Sequence, residues 1–323
     1  MREQAAEGPS AAAAEAGDHA HFPTDIAVDF RRPFVPEHRT QLYYTPLYRS
    51  LHFEHRLRYN QLFALRLNEY AMMLEEGLTD RVMKRVVSRI GPARHPDIVD
   101  AVGRLRAEEA HHRQMFGGIN RSIRPDLYPI GRDRFFSVLP LWARGAFPAA
   151  GVLSRWFSFV LWYAIAMEEA SVALAREMAG DKETETLGPL DPAFASIYAA
   201  HAKDEARHVR LEQRLIDLAL IGDRPRRRKW DAILFRQMLI GLCTPTRGGS
   251  GVRVIRQLVR DMPELQNRED EMIQAVLDLG RHREFQISLF NREMMPVAFA
   301  IYDRIPELAN LGERMPGYVR QSA

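Results

Sequence analysis

From His52 to Leu78 the chain runs without proline, and without glycine until Gly77, and it is rich in Leu, Met, Ala, Glu and Arg. These residues lose little rotamer freedom in a helix, so the stretch predicts one long helix. Gly91-Pro92 and Pro96 punctuate the connection that follows. Asp97 then stands where an N-cap belongs and opens a second helix, expected to reach about Met115 and to end at Gly117-Gly118. Several Pro and Gly between 120 and 150 predict an irregular crossing or short helices. A third helix is expected from about Val152 to Met178, stopping at Gly180. Asp191-Pro192, an N-cap followed by proline in the first helical position, opens a fourth that runs to about Leu220. After a break at 222–225, further helical stretches are expected over 229–242, 251–261 and 268–292. No strand pattern of comparable strength appears, so the fold is expected to be all-α.

Residues 1–24 are rich in Ala, Gly and Glu and are expected to form a disordered tail, leaving 25–323 as a single helical domain. Hydrophobic residues make up 46% and charged residues 27%, ordinary for a globular protein. A formal net charge of +3 supplies no field that would demand a nucleic acid or a membrane surface. The single cysteine, Cys243, excludes an intrachain disulfide and a thiolate cage, so any metal must be held by His and carboxylate. The expected compartment is the cytoplasm: the N-terminus carries no apolar signal segment. The longest apolar run, Phe157 to Met167, lies between Arg155 and Glu168, is too short to span a bilayer and reads as a buried helix.

The candidate chemistry lies on the second and fourth helices. One carries Glu108-Glu109-Ala110-His111-His112, the other Asp204-Glu205-Ala206-Arg207-His208, and both contain Glu-x-x-His. Positions i and i+3 share a helix face, so both side chains of such a pair can reach one metal ion. The pairs fall in these two helices only. They also belong to a larger repeat: Glu75 precedes Glu109 by 34 residues and Glu168 precedes Glu205 by 37. A Glu from each of two helices and Glu-x-x-His from each of two others is the di-iron carboxylate pattern of helical bundles. The fold class expected is therefore a ferritin-like or ribonucleotide-reductase-like four-helix di-iron bundle with additional helices, its metal-binding core at about 50–220. His201 adds a further donor, since 201, 205 and 208 are spaced i, i+4, i+7 along one stripe. Four carboxylates also balance two divalent ions. Iron or manganese suits this donor set, and ligand type alone admits zinc.

At this level several alternatives stay open: Glu108 with His111 in place of Glu109 with His112, Glu69 or Glu76 in place of Glu75, and Glu169 in place of Glu168. Each spare acid reads equally as a solvated helix face.

These motifs resemble those of the p-aminobenzoate N-oxygenase (AurF-like) family of non-haem di-iron arylamine oxygenases. Asn68-Glu69-Tyr70 through Glu75-Glu76 is similar to the family's first ligand helix, in which an Asn precedes the ligand Glu by seven. Glu108 to His112 resembles its acidic-Glu-x-x-His motif, Ala164 to Asp181 its third helix, and His201-x-x-Asp204-Glu205-x-x-His208 its most distinctive motif, the additional histidine included. The resemblance covers about residues 55–215, with a longer loop at 181–191. It selects Glu75, Glu109, His112, Glu168, His201, Glu205 and His208 as metal ligands. It also implies that Glu109 and Glu205 bridge two irons, that Glu75 and His112 complete one, and that Glu168, His201 and His208 complete the other. Asp204, Glu108 and Asn68 would support the ligands from behind, and Tyr163, five residues before Glu168, would line a substrate pocket.

The reaction so implied is activation of dioxygen, as co-substrate, at two Fe ions, with oxidation of an aryl amine through hydroxylamine and nitroso to nitro, in natural-product biosynthesis. Its partners would be the small-molecule amine and an external electron donor, a ferredoxin or similar reductase system. Neither nucleic acid nor membrane is expected, and the chain would be compatible with a homodimer. The basic run Arg224-Pro225-Arg226-Arg227-Arg228-Lys229 reads as a solvated loop or as a docking patch for that donor. Hydroxylation, desaturation or aliphatic N-hydroxylation on the same scaffold is the nearest rival reading. A ferritin-like storage protein is a rival of another class, set back by the long additional helices.

Overall fold

The computed structural model describes residues 27–76, 80–138, 156–180, 183–220 and 224–321, with Ala149 and Val152. The expected N-terminal tail and most of the 139–155 segment lie outside the described residues. Apart from one isolated bridge between Glu183 and Pro189, every regular element among the described residues is helical.

A short α1 (Pro46–Ser50) leads into α2 (Phe53–Leu74), followed by α3 (Asp80–Ile90) and α4 (Pro96–Ile123). Next come α5 (Phe159–Gly180) and α6 (Pro192–Leu220), the most extensively packed pair. An outer set completes the chain: α7 (Pro225–Cys243), α8 (Ser250–Asp261), α9 (Glu269–Asp278), α10 (Arg283–Leu289) and α11 (Pro296–Asp303). Helices α2, α4, α6 and α5 form the bundle, with α4 touching both α2 and α6. The outer helices cover it, α8 lying on α2, α7 on α5, α3 on α4 and α6, and α11 on α5 and α6.

Helix α4 runs through Gly117-Gly118, where the sequence predicts its end. Each glycine costs about 1 kcal/mol of helix propensity, but Ile119, Asn120 and Ile123 beyond them are buried and hold the extra turn in place. Helix α5 starts at Phe159, later than predicted. There Asp231 of α7 accepts the backbone N–H groups of Ser158 and Phe159 at 2.6 and 2.8 Å, which satisfies donors that a helix start leaves open. The expected 268–292 helix is two helices, α9 and α10, broken at Leu279–Arg281. Helix α11, of eight residues, is too short to show a sustained period, and α3 goes unpredicted although Val82, Met83, Val86 and Ile90 mark one face. No described helix is long and apolar enough to cross a membrane.

The buried row of α4 is Ile98, Val102, Leu105, Glu109, His112, Phe116, Ile119 and Ile123, with steps of four and three that keep one helix face toward the bundle. The row of α6 is Phe194, Tyr198, His201, Glu205, His208, Glu212, Leu215 and Ala219, stepped in the same way. Two apolar clusters flank the polar positions. One gathers Val102, Leu105, Ile165, Leu215, Phe235 and Tyr302; the other gathers Leu65, Met72, Phe116, Ile119, Phe194 and Ile255. The four bundle helices therefore carry a layer of ionisable groups between two dry cores.

Candidate metal centre

The layer is built from donors on all four bundle helices. Oxygen or nitrogen atoms of Glu75, His112, His201 and Glu205 lie within 4.8 Å of one another, and so do those of Glu109, Glu168, Glu205 and His208. Glu205 belongs to both groups. His201 Nε2 stands 2.6 Å from Glu205 Oε1 and 3.5 Å from Glu75 Oε1. His208 Nδ1 lies 2.9 Å from Glu205 Oε2 and 3.3 Å from Glu109 Oε1, while His112 Nδ1 lies 3.3 Å from Glu205 Oε1 and 3.7 Å from Glu109 Oε2. Glu75 closes α2 at a π turn spanning Glu75–Glu76, a local widening found often at functional sites.

Despite this crowding, Glu75 Oε2, both oxygens of Glu109, His112 Nδ1 and His201 Nε2 are buried and make no hydrogen bond. Buried polar atoms without partners cost about 1–3 kcal/mol each. So many converging on one spot is the arrangement expected of donors shaped around cations, and four carboxylates with three imidazoles suit two of them.

The histidines are braced from outside. Asp204 Oδ2 lies 3.0 Å from His112 Nε2, and Glu108 Oε2 lies 2.9 Å from His208 Nε2. Each acid immediately precedes a Glu of its own helix and grips the histidine of the opposite helix. Arg207 links the two acids, donating to Glu108 at 2.8 Å and pairing with Asp204. His201 Nδ1 is 3.1 Å from Ser171 Oγ of α5. Both Glu-x-x-His histidines are thus held with Nδ1 inward, and His201 with Nε2 inward. Such outer contacts fix ring orientation and raise ligand basicity.

The cluster perturbs its own protonation. Burial and the Glu109 charge raise the Glu75 carboxyl to about 7, against the pull of His201. Burial, Glu205 and Glu109 raise Glu168 well above the ordinary range. Burial works to lower His112 and His201, but contacts with Asp204, Glu109 and Glu205 push His112 up to about 12, and Glu205 and Glu75 push His201 up to about 9. Glu205 is held low: burial opposes this, and the positive His201 and His208 prevail. Without cations the site therefore keeps protons that bound cations would displace.

The spare acids sort by contact. Glu69 accepts Tyr128 Oη at 2.6 Å and the backbone N–H groups of Phe135, Phe136 and Ser137, so it anchors a connection. Glu76 is exposed and pairs with Arg134. Glu169 accepts the N–H groups of Val297 and Ala298 at the start of α11. His111 belongs to neither donor group.

Four expectations differ from what the structure shows. Glu109 belongs to the second donor group alone, where the resemblance implies a bridge, and His201 lies with Glu75 and His112, not with Glu168 and His208. It is four residues before Glu205 while His208 is three after, so the two point to opposite ends of the cluster. Asn68 bonds none of the seven donors. It accepts Tyr198 Oη at 2.7 Å and donates to Asn120 at 2.9 Å, tying α2 to α6 and α4 two turns away from Glu75. Tyr163 does not line the cavity beside the cluster. Five residues turn it about 140° from Glu168, and its hydroxyl meets that of Tyr70, which does line the cavity, at 2.7 Å.

That cavity has a volume of about 270 Å³. Glu75, Glu168, His201 and Glu205 form part of its wall, and Tyr70, Phe116, Tyr198, Phe285 and Phe290 supply aromatic surface. Arg66 also lines it. Its Nε donates to Ser250 Oγ at 2.8 Å, and among the described residues no carboxylate pairs with it. Sequence reasoning missed Arg66 and Tyr70, and also Glu212, a fully buried acid on the α6 row.

An all-helical bundle with a buried layer of carboxylates and imidazoles, open on one side to a cavity, defines a protein of the ferritin-like metal-binding class. The profile of the p-aminobenzoate N-oxygenase AurF family matches residues 10–284, most of the chain and well past the end of the residues that carry the resemblance. The chain belongs to this family, an oxygenase family of ferritin-like di-iron helical fold. No curated protein and no solved structure matches it.

Proposed function

We propose that the protein is a di-iron N-oxygenase that uses dioxygen to oxidise an aryl amine to its hydroxylamine, nitroso or nitro product. The observation that carries this reading is the opening of the donor cluster, through Glu75, Glu168, His201 and Glu205, into an aromatic-walled cavity. Glu75, Glu109, Glu168 and Glu205 with His112, His201 and His208 would hold the two irons, and bound iron would supply the dioxygen chemistry. The residues supply the rest. Tyr70, Phe116, Tyr198, Phe285 and Phe290 suit a flat ring and keep water away from the reacting nitrogen. A cavity of about 270 Å³ takes a small aromatic substrate, whereas a storage protein has no need of an aromatic chamber. Arg66, which lines the cavity and spends its Nε on Ser250, suits an acidic substituent on the ring, the amine then pointing to the cluster.

Electrons come from an external donor of ferredoxin type, and the basic stretch at the start of α7 (Arg224, Arg226 and Lys229) offers it a complementary surface. The test is anaerobic reduction of the iron-loaded protein, exposure to dioxygen and a panel of anilines (aminobenzoates included), aliphatic amines and C–H substrates, with products identified by mass. Oxygenated anilines are expected. Unchanged anilines beside an oxidised aliphatic amine or C–H bond would overturn the arylamine reading and leave the metal centre standing.

A further inference from the structure

The α6 row carries one acid that neither donor group contains. Glu212 is fully buried, and both of its carboxylate oxygens lack a hydrogen-bond partner. Glu109 is the other carboxylate in the layer with both oxygens left this way. A buried carboxylate without a partner is among the costliest placements a core can hold. The equivalent place on α4, four residues past His112, is filled by Phe116, so the bundle packs well there with an apolar side chain.

The neighbours of Glu212 identify what it faces. It interacts electrostatically with Glu109, Glu205 and His208, and also with Glu168. These are the four members of the second donor group. Tyr302 of α11 also feels its charge, and its hydroxyl is committed to the Trp162 carbonyl. One helical turn separates it from His208, and it continues the line 201, 205, 208, 212.

We propose that Glu212 is a fifth donor to the metal ion held by Glu109, Glu168, Glu205 and His208, drawn onto the ion when the site loads. This rests on the di-metal reading of the cluster. Three rotatable side-chain bonds let a Glu one turn from His208 move its oxygens forward, and the ion removes the desolvation cost that the carboxylate bears alone. The charges agree with this role. Glu75, Glu109, Glu168 and Glu205 neutralise two divalent ions, and a fifth carboxylate offsets part of the extra charge of a trivalent pair. Glu212 would therefore favour the oxidised state and lower the reduction potential of the centre.

The test uses the full-length protein freed of metal and titrated with Co(II), whose visible absorption intensifies as its coordination number falls. Wild type, Glu212→Gln and Glu212→Leu are compared, with Glu75→Gln as the control for the other end. Circular dichroism confirms folding, and the Leu variant is expected to fold because Phe116 serves at the equivalent place. Wild type should bind two Co(II). In both Glu212 variants one ion should bind about 10–100-fold more weakly, with an intensified spectrum, while the other ion is unaffected. Iron-loaded variants should also show a higher reduction potential. Two ions bound with wild-type affinity and a superimposable spectrum would overturn the proposal and leave the metal centre intact. Wild type that binds no ion pair would overturn the metal centre itself, and this proposal with it.

Discussion

Helices α4 and α6 lay the same row of positions along the inside of the bundle, and they differ at its two flanks. Around Glu109 and His112, α4 places Leu105 and Phe116; around Glu205 and His208, α6 places His201 and Glu212. The backbone plan and the central pair are repeated, and the acids just before each Glu cross over to the opposite histidine in the same manner. Symmetry thus accounts for the core of the site. Its asymmetry lies on one helix, which also supplies the donor common to both groups.

The largest effect should come from the shared donor. Glu205→Gln is expected to abolish binding of both ions and all oxidation, whereas Glu109→Gln should retain the ion held by Glu75, His112 and His201. Metal counts by elemental analysis decide this, and equal loss in both variants would restore full symmetry to the rows. Next in size is His201→Leu, which makes this flank of α6 match Leu105 of α4. The fold should persist, with affinity for the ion at the Glu75 end reduced by at least about tenfold. Unchanged binding and turnover would mean that the asymmetry at this flank is ornamental.

The crossed acids sharpen the comparison from its symmetric side. Asp204→Asn and Glu108→Gln should each weaken one ion by about tenfold, and by similar factors. Competition against a chelator measures this, and a large difference between them would show that Arg207, which contacts both, favours one.

The smallest effect concerns protons. In the metal-free protein Glu75 titrates at about 7 instead of the ordinary 4.5, so between these values the folded chain binds the extra proton. Its contribution to stability therefore falls as pH rises from 4.5 to 7. His201, raised to about 9 from 6.5, contributes most below 6.5 and loses that contribution as pH rises through 9. Both slopes have the same sign. Thermal melts of the metal-free protein should show Glu75→Gln flattening the lower window and His201→Leu the upper one.

Much of the centre is written in the sequence because ligation obeys helical spacing. Glu-x-x-His places two donors on one face wherever the helix lies, and His201 falls on the same stripe. Spacing sets His201 and His208 at opposite ends of the cluster, but whether Glu75 or Glu168 joins His201 depends on how α2 and α5 stand against α6. Glu212 escaped a reading that sought ligand pairs, yet the alternation of fours and threes along α6 puts an acid where the core expects a hydrophobe. That signal is visible without coordinates. The extension of α4 through Gly117-Gly118 was not visible, because packing there outweighs local propensity. Arg66 and Ser250 are 184 residues apart, and only the placement of α8 on α2 joins them.

The layer of ionisable groups between two dry cores also bears on how the molecule comes apart. Each apolar cluster draws residues from early and late in the chain, so neither can be lost by peeling off one terminus. What divides them is a plane of buried ionisable groups, whose carboxylates and imidazoles bound cations would tie together. Take the cations away and that plane becomes the weakest cross-section of the fold. Amide hydrogen exchange should then be fastest along the middle turns of α4 and α6, with protection persisting on either side. The metal centre is in this sense also the rivet between two halves of the core, and leaving it without cations should open the molecule there before either end unfolds.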